Sequence, residues 1–209
     1  MANSYKDIII TPNRSNTADP KIEFRGGNSS VNTAITVQTY PTSNGTLSFE
    51  GSAGQLFSIT NDLTGSIYSV NDVSGIPSIE VFANGQIDLA AFGGMVNLRN
   101  YSEYISANTA TTGATTLDLS TANFFNLTLT GNTTFSFTNP PASRMMSFTI
   151  VAKQDATGGR TITWPGTAKY AGGVVPPATT TANATDIWSA MTYDGGTSYI
   201  VSLSVKAAA

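Results

Sequence analysis

The side chains best suited to chemistry in this sequence are three carboxylates, Asp155, Asp186 and Asp194. A glycosidase needs two carboxyl groups about 5–10 Å apart, one to donate a proton and one to act as base or nucleophile. Asp155 and Asp194 stand beside Gly-Gly turns, however, where an aspartate commonly accepts hydrogen bonds from its own turn. The sequence therefore favours a turn role for them and predicts no catalytic residue. A glycan-degrading enzyme is the weakest hypothesis.

Two residue types that dominate enzyme and metal chemistry are absent, because the 209 residues include no histidine and no cysteine. This excludes Ser-His and Cys-His nucleophiles, histidine-ligated zinc and disulfides. A calcium loop needs closely spaced Asp and Asn oxygens, whereas Asp62 and Asp72 lie in the turn sequences NDLTG and NDVSG. The Gly-Gly pairs lack the Lys-Ser/Thr that follows a phosphate-binding loop. The sequence predicts no metal and no cofactor.

The charge balance argues against two classes of partner. Ten basic and 13 acidic residues give a net charge of −3, and no basic run is present, so phosphate neutralisation on nucleic acid is not expected. The apolar runs fall far below the ~18 residues that span a bilayer, and the start, MANSYKDIII, resembles neither a signal peptide nor an anchor. We therefore expect no nucleic acid, no membrane insertion, and synthesis in the cytoplasm.

Aromatic side chains are the second group that could contact a ligand, since five in the C-terminal half could form a sugar-stacking platform: Trp164, Tyr170, Trp188, Tyr193 and Tyr199. Trp164 and Trp188 each end or begin an alternating strand, so both are expected in the core. Tyr170 lies in the Gly-containing loop TAKYAGG, where side chains are usually exposed. Tyr170 is therefore the predicted surface contact for a glycan.

The elements that must position these residues are strands. Residues 116–139, TLDLSTANFFNLTLTGNTTFSFTN, alternate apolar and polar side chains, which gives each strand one buried and one wet face. Turn-prone residues at 120–123 and at Gly131-Asn132 predict chain reversals, and hence a β-meander. Asn84-Gly85 predicts a tight hairpin between 79–82 and 87–90, with both turn residues at positive φ.

Composition supports an all-β fold throughout. Charged residues make up only 11% of the chain, against roughly 25% in an average domain, and threonine is the commonest residue. We predict a small N-terminal β module followed by a β-sandwich or jelly-roll-like domain, with helix limited to a turn or two. The predicted divisions are an N-terminal arm over 1–30, an attachment module over 31–94, a linker over 95–115 and a display domain over 116–206.

The first module has short strands with few inward-facing residues. A sheet so thin leaves Phe57, Ile59, Ile79 and Val81 partly exposed in a monomer. Packing against two further copies around a threefold axis would cover these side chains and the open strand edges. The sequence therefore predicts self-association.

Two stretches resemble modules of structural proteins in tailed bacteriophages, especially marine and cyanobacterial ones. One is residues 54–89, and the other is residues 115–199, which carries QDATGGRTITWPG and TTTANATDIWSAMTYDGGTSY. The resemblance implies a non-enzymatic protein on the virion surface, usually a homotrimer. Because the chain has no coiled coil, repeated shaft or separate large tip, we predict a short tail fibre for host adsorption, docked on other virion proteins through residues 1–94 and in contact with a host surface glycan. The alternatives are a capsid decoration (cement) protein that stabilises the head and a small tail accessory protein.

Overall fold

The computed structural model describes residues 7–11, 20–25, 34–40 and 45–209. The chain divides into two compact units, Met1–Arg99 and Asn100–Ala209. The division falls inside the linker predicted over residues 95–115.

The first unit is one antiparallel sheet in which each described strand pairs with the next along the chain. Its strands are β1 (Asp7–Thr11), β2 (Lys21–Arg25), β3 (Ile35–Tyr40), β4 (Thr46–Gly51), β5 (Gly54–Ile59), β6 (Ser66–Asn71), β7 (Pro77–Phe82) and β8 (Ile87–Leu89). Short turns with Gly, Asn and Asp join the later strands. Because β1 and β2 belong to this sheet, the described part of the predicted arm over 1–30 is continuous with the attachment module.

The second unit contains the remaining strands: β9 (Thr109–Asp118), β10 (Phe124–Thr138), β11 (Met146–Gln154), β12 (Ile162–Thr163), β13 (Ala168–Lys169), β14 (Thr185–Thr192) and β15 (Tyr199–Ala208). Its sheet runs in the order β12-β10-β11-β14-β15-β13, with β9 also pairing with β10. Among the described residues, the helical content is a single 3-10 turn at Ala171–Gly173. Since β9 begins at Thr109, the linker predicted over 95–115 is wrong from that residue onward.

Parallel pairing makes the chain wind rather than fold back and forth. Strand β9 runs parallel to β10, with Leu117 beside Phe137, and β10 runs parallel to β11, with Phe125 beside Ile150. The far half of β10 runs parallel to β12. The β-meander predicted over residues 116–139 is therefore wrong. Gly131 and Asn132 lie within β10, where the register with β9 shifts between Leu129 and Thr133, and the chain does not reverse there.

One apolar core lies between the two halves of this winding sheet. The ring of Phe137, from the far half of β10, contacts Phe148 at a centroid distance of 5.1 Å and Tyr199 at 4.7 Å. Trp188 is fully buried and contacts Trp164 at 4.8 Å. One curled sheet thus encloses the core of the second unit, and the predicted all-β fold class is confirmed.

Candidate functional site

Each of the three carboxylates singled out from the sequence accepts hydrogen bonds from backbone N–H groups. Asp155 Oδ1 accepts hydrogen bonds from the N–H groups of Thr157 at 3.1 Å and Gly158 at 2.9 Å. Its other oxygen, Oδ2, pairs with the Arg160 guanidinium at 2.8 Å. The hydrogen bond from Arg160 is the main cause that holds the pKa of Asp155 below its usual value. This carboxylate closes its own turn.

Asp194 has the same role in the turn between β14 and β15. Its Oδ1 accepts from the Ser198 N–H at 3.0 Å and from Thr192 Oγ1 at 3.0 Å. The Ser198 hydroxyl donates to Oδ2, and that bond is the main cause that lowers the pKa of Asp194. Both turn roles expected for Asp155 and Asp194 are present in the structure.

Asp186 is the buried member of the three. Only 1% of its surface is exposed, and its two oxygens accept hydrogen bonds from the backbone N–H groups of Thr179 and Ala207. The described residues include no group of three or more His, Cys, Asp or Glu side chains that could hold a metal ion. Asp155, Asp186 and Asp194 therefore each accept hydrogen bonds that hold the surrounding chain in place.

The aromatic residues divide between core and surface. Trp188 and Tyr199 are buried and Trp164 packs against the same core, as predicted for the two tryptophans. Tyr170 is half-buried and also packs against the core, and burial raises the pKa of its hydroxyl. The loop after Tyr170 is exposed as expected, but the Tyr170 ring is exposed only in part, and a glycan contact by Tyr170 stays a prediction. Tyr193 is 64% exposed.

A groove of about 290 Å³ lies on the outer face of the second unit. Two rows of outward-facing side chains cross β11, β14 and β15 and form its floor. Its lining residues are Glu103, Asn123, Ser147, Phe148, Thr149, Ser189, Ala190, Met191, Ile200 and Ser202. Most of these contribute hydroxyl, amide or carboxylate oxygens. Sequence reasoning missed this groove, because outward Ser and Thr positions indicate only a solvent-facing strand until the three registers are known.

The first unit carries a second candidate surface, an apolar face. Eight residues stand opposite one another across all eight strands and form an apolar row: Ile10, Ile22, Val37, Phe49, Phe57, Val70, Ile79 and Leu89. Residues directly opposite in neighbouring strands share one face of a sheet. Phe49 and Phe57 stack in this row with ring centroids 4.1 Å apart. A neighbouring row on the same face contains Leu47, Ile59, Tyr68, Val81 and Ile87.

The opposite face of the same sheet is polar. Ser48, Ser58 and Ser69 stand side by side there, and the hydroxyls of Ser58 and Ser69 lie 3.0 Å apart. Gln55 Nε2 donates to Ser48 Oγ at 2.8 Å, and Asn71 Nδ2 donates to Gln55 Oε1 at 2.8 Å. These hydrogen bonds tie the polar face together without a second layer. The side chains of the two apolar rows, as far as the structure describes them, make no hydrogen bonds with one another.

Residues 104–198 match the model of a protein family described as "Putative phage tail fibre C-terminal domain". This part of the chain is similar to a tail fibre domain of tailed bacteriophages. The resemblance to phage tail fibre proteins is thereby confirmed, and the domain gives the chain a structural role in the virion. No curated protein and no solved structure matches the chain. Within the described part of the chain, no helix is both long enough and apolar enough to span a membrane.

Proposed function

We propose that the protein is a non-enzymatic subunit of a short tail fibre that adsorbs the phage to its host. Residues 1–94 dock on other virion proteins and on further copies of the chain, and residues 116–206 are displayed outward. The tail fibre match over 104–198 favours the tail over capsid decoration. The buried or turn-bound state of Asp155, Asp186 and Asp194 supports a role without catalysis.

The observation that carries the assembly part is the apolar face of the first unit. Seven of its large side chains are 38–69% exposed: Ile10, Phe24, Ile35, Ile59, Ile79, Ile87 and Leu89. With roughly 200 Å² for a fully exposed residue of this size, these seven residues present roughly 700 Å² of largely apolar surface. A stable interface buries about 800 Å² on each partner. The half-buried side chains of the same face supply the remainder.

Further copies of the chain are proposed to cover this apolar face. They form a homotrimer in which the three apolar faces turn towards the threefold axis. Each Å² removed from water contributes about 25 cal/mol, and three copies cover three sheets without leaving one apolar face open. The irregular connection between β8 and β9 adds exposed apolar side chains that an assembly would also cover, namely Phe92, Met95, Leu98, Tyr101 and Tyr104.

Native mass spectrometry of the full-length protein tests the assembly. We expect a trimer for the natural sequence and dissociation for the double variant Ile59→Thr/Ile87→Thr, which removes two exposed side chains from the apolar face. Threonine keeps a β-branched side chain, so the strands remain favoured. Glu80→Thr, on the opposite face, is the matched control and should leave the trimer intact. A stable monomer of the natural protein at micromolar concentration, with the first unit folded, rules the trimer out.

Location and adsorption need separate measurements. Gold-labelled antibody against the protein should decorate the tail in electron micrographs of the phage. Label on the head would replace the tail-fibre proposal with the capsid-decoration alternative. Purified full-length protein should also compete with the phage for adsorption to host cells, and an adsorption rate unchanged by saturating protein would contradict the adsorption role.

A further inference from the structure

We infer that the groove on the outer face of β11, β14 and β15 binds one uncharged sugar ring of a host surface glycan. This inference rests on the proposed adsorption role and gives that role a site. It also replaces Tyr170 as the main expected contact, because Tyr170 is outside the set of residues that line the groove.

The floor of the groove consists of two rows of side chains, which the paired strands β11, β14 and β15 hold in place. Ser147, Met191 and Ile200 stand opposite one another on β11, β14 and β15, and Thr149, Ser189 and Ser202 form the next row on the same face. Phe148 and Ala190 lie between these rows with their side chains buried in the core. Ladder hydrogen bonds on both sides of β14 therefore fix the spacing of the hydroxyl groups. A site built on paired strands needs little ordering when a ligand arrives.

Several polar groups of the groove have no protein partner among the described residues. The side chains of Glu103, Asn123, Ser147 and Thr149 make no hydrogen bond there, although the Asn123 carbonyl holds the Thr149 N–H at 2.8 Å. In contrast, Ser189 Oγ lies 2.7 Å from Ser204 Oγ. Hydroxyl groups can both donate and accept, the amide adds both functions, and the carboxylate accepts. A ring with several hydroxyl groups matches this set.

The groove also offers an apolar contact. Met191 is 39% exposed and Ile200 is 44% exposed, and they stand side by side at the same end of the floor. The C–H face of a sugar ring is apolar, and a flexible thioether side chain adapts to its shape. A volume of about 290 Å³ is at the lower limit of small-molecule pockets, which suits one ring better than a long oligosaccharide.

The charge of the groove determines whether neutral or acidic sugar rings are expected to bind. Among the described residues that line the groove, Glu103 is the only charged one, and none is a lysine or an arginine. A carboxylate ligand would face a like charge with no basic side chain to offset it, which is unfavourable. We therefore expect neutral hexoses and N-acetylhexosamines to bind and uronic acids to be rejected.

The test uses full-length protein with ¹³C-labelled methionine methyl groups and NMR titration. Methyl glycosides of glucose, galactose and N-acetylglucosamine are the neutral probes, and methyl glucuronide is the acidic probe. The signal that disappears in Met191→Leu is assigned to Met191. We expect a neutral probe to shift this signal with a dissociation constant on the order of millimolar, while the signals of Met95 and Met146 stay in place.

Variants of the floor give the matched comparison. Thr149→Val removes one unpaired hydroxyl and keeps the β-branched shape, so affinity for the neutral probe should fall by about 5- to 10-fold, as for one lost hydrogen bond. Thr185→Val makes the same change on the outer face of β14 but outside the groove, and it should leave the affinity unchanged. Glu103→Gln should improve binding of methyl glucuronide relative to the neutral glycosides.

Two results would overturn the inference. One is a Met191 signal that does not move with any neutral probe at high millimolar concentration. The other is binding of methyl glucuronide equal to that of its neutral counterpart in the natural protein. Either failure leaves the tail-fibre proposal standing if the antibody labels the tail and the protein competes for adsorption. Label on the head would instead remove the tail-fibre proposal, whatever the titration shows.

Discussion

The carboxylate of Asp186 holds the backbone N–H of Thr179 at 2.6 Å, inside the second unit and out of contact with solvent. The other oxygen holds the N–H of Ala207, at the far end of β15. One side chain thus joins β14 to the loop before it and to the C-terminal end of β15. Asp186, one of the three carboxylates in the sequence best suited to chemistry, is therefore a structural link.

We predict that Asp186→Asn destabilises the fold by about 2–4 kcal/mol, because an amide offers one acceptor oxygen in place of two and presents its NH₂ group to a backbone N–H. Chemical denaturation of the full-length protein, followed by tryptophan fluorescence, measures the change. Glu103→Gln removes a negative charge from an exposed side chain and serves as the control, with an expected change near zero. An unchanged denaturation midpoint for Asp186→Asn would show that this link contributes little.

The paired glycines after Asp155 give a second prediction. Gly158 and Gly159 both have positive φ, at 71° and 78°. A β-carbon on Gly158 would lie 2.7 Å from the Ala182 nitrogen and 2.7 Å from the Thr180 carbonyl oxygen, whereas a β-carbon on Gly159 meets no atom within 4 Å. Backbone atoms cannot move aside as a flexible side chain can.

Gly159→Ala should therefore cost about 1 kcal/mol, which is the penalty of a left-handed conformation alone. Gly158→Ala should cost roughly 2–4 kcal/mol, because overpacking against fixed backbone adds to the same penalty. Thermal denaturation of the two variants side by side isolates the steric part. Equal melting temperatures would mean that the loop at 179–182 relaxes without loss.

Strand positions and faces could be predicted from the sequence, but the direction of pairing could not. Ile79, Val81, Ile87 and Leu89 alternate with polar residues, and they do share the apolar face. The same alternation is compatible with parallel and antiparallel partners, because side chains alternate in both. At Gly131-Asn132 the local signal favoured a reversal. The structure has instead an extended strand whose parallel partners lie about 20 residues before it and 29 residues after it.

The candidate sites were harder to predict for a related reason. Ser147, Met191 and Ile200 meet in the groove only through two strand registers, and no local pattern links residue 147 to residue 191. Tyr170 was expected on the surface because glycines follow it, yet its ring packs on the core. Glycine determines which backbone conformations are possible, and it leaves open where a neighbouring ring packs.

Acid should weaken the fold through its turn carboxylates. The pKa values of Asp118, Asp155 and Asp194 are all lowered, by hydrogen bonds from Ser120, Arg160 and Ser198 respectively. A carboxyl group with a lower pKa in the folded state stabilises the fold fully above its unfolded value of about 3.9. That contribution is lost as the pH falls through the folded pKa. The denaturation midpoint should therefore be flat near neutral pH and fall below about pH 4.

The variant Asp155→Asn isolates the contribution of one of these turns to the pH dependence of stability. The variant should be less stable than the natural protein at neutral pH, and the difference should shrink as the pH falls below about 4, because the natural carboxyl is then protonated as well. Carboxyl ¹³C shifts measured against pH give the folded pKa directly. A pKa for Asp155 at or above the usual value would contradict the role of Arg160.

The last prediction concerns the hairpin of β7 and β8. Its pairing is as expected, with Val81 opposite Ile87 and Ile79 opposite Leu89. The turn differs, however. Gly85 has a φ of 85°, Asn84 is not among the positive-φ residues, and the N–H of Gly85 donates to the Phe82 carbonyl. This is a three-residue loop with glycine in the left-handed position, so the expectation of two positive-φ residues was wrong for Asn84.

Gly85→Val should destabilise the protein by roughly 1–3 kcal/mol, because a β-branched residue is strained at positive φ. No atom lies within 4 Å of a β-carbon built on Gly85, so the effect should come from the backbone conformation alone. Gly85→Asn is the matched control, since asparagine tolerates the left-handed region and should retain most of the stability. Thermal melting followed by circular dichroism measures both variants. Equal losses for valine and asparagine would show that space, and not φ, limits this position.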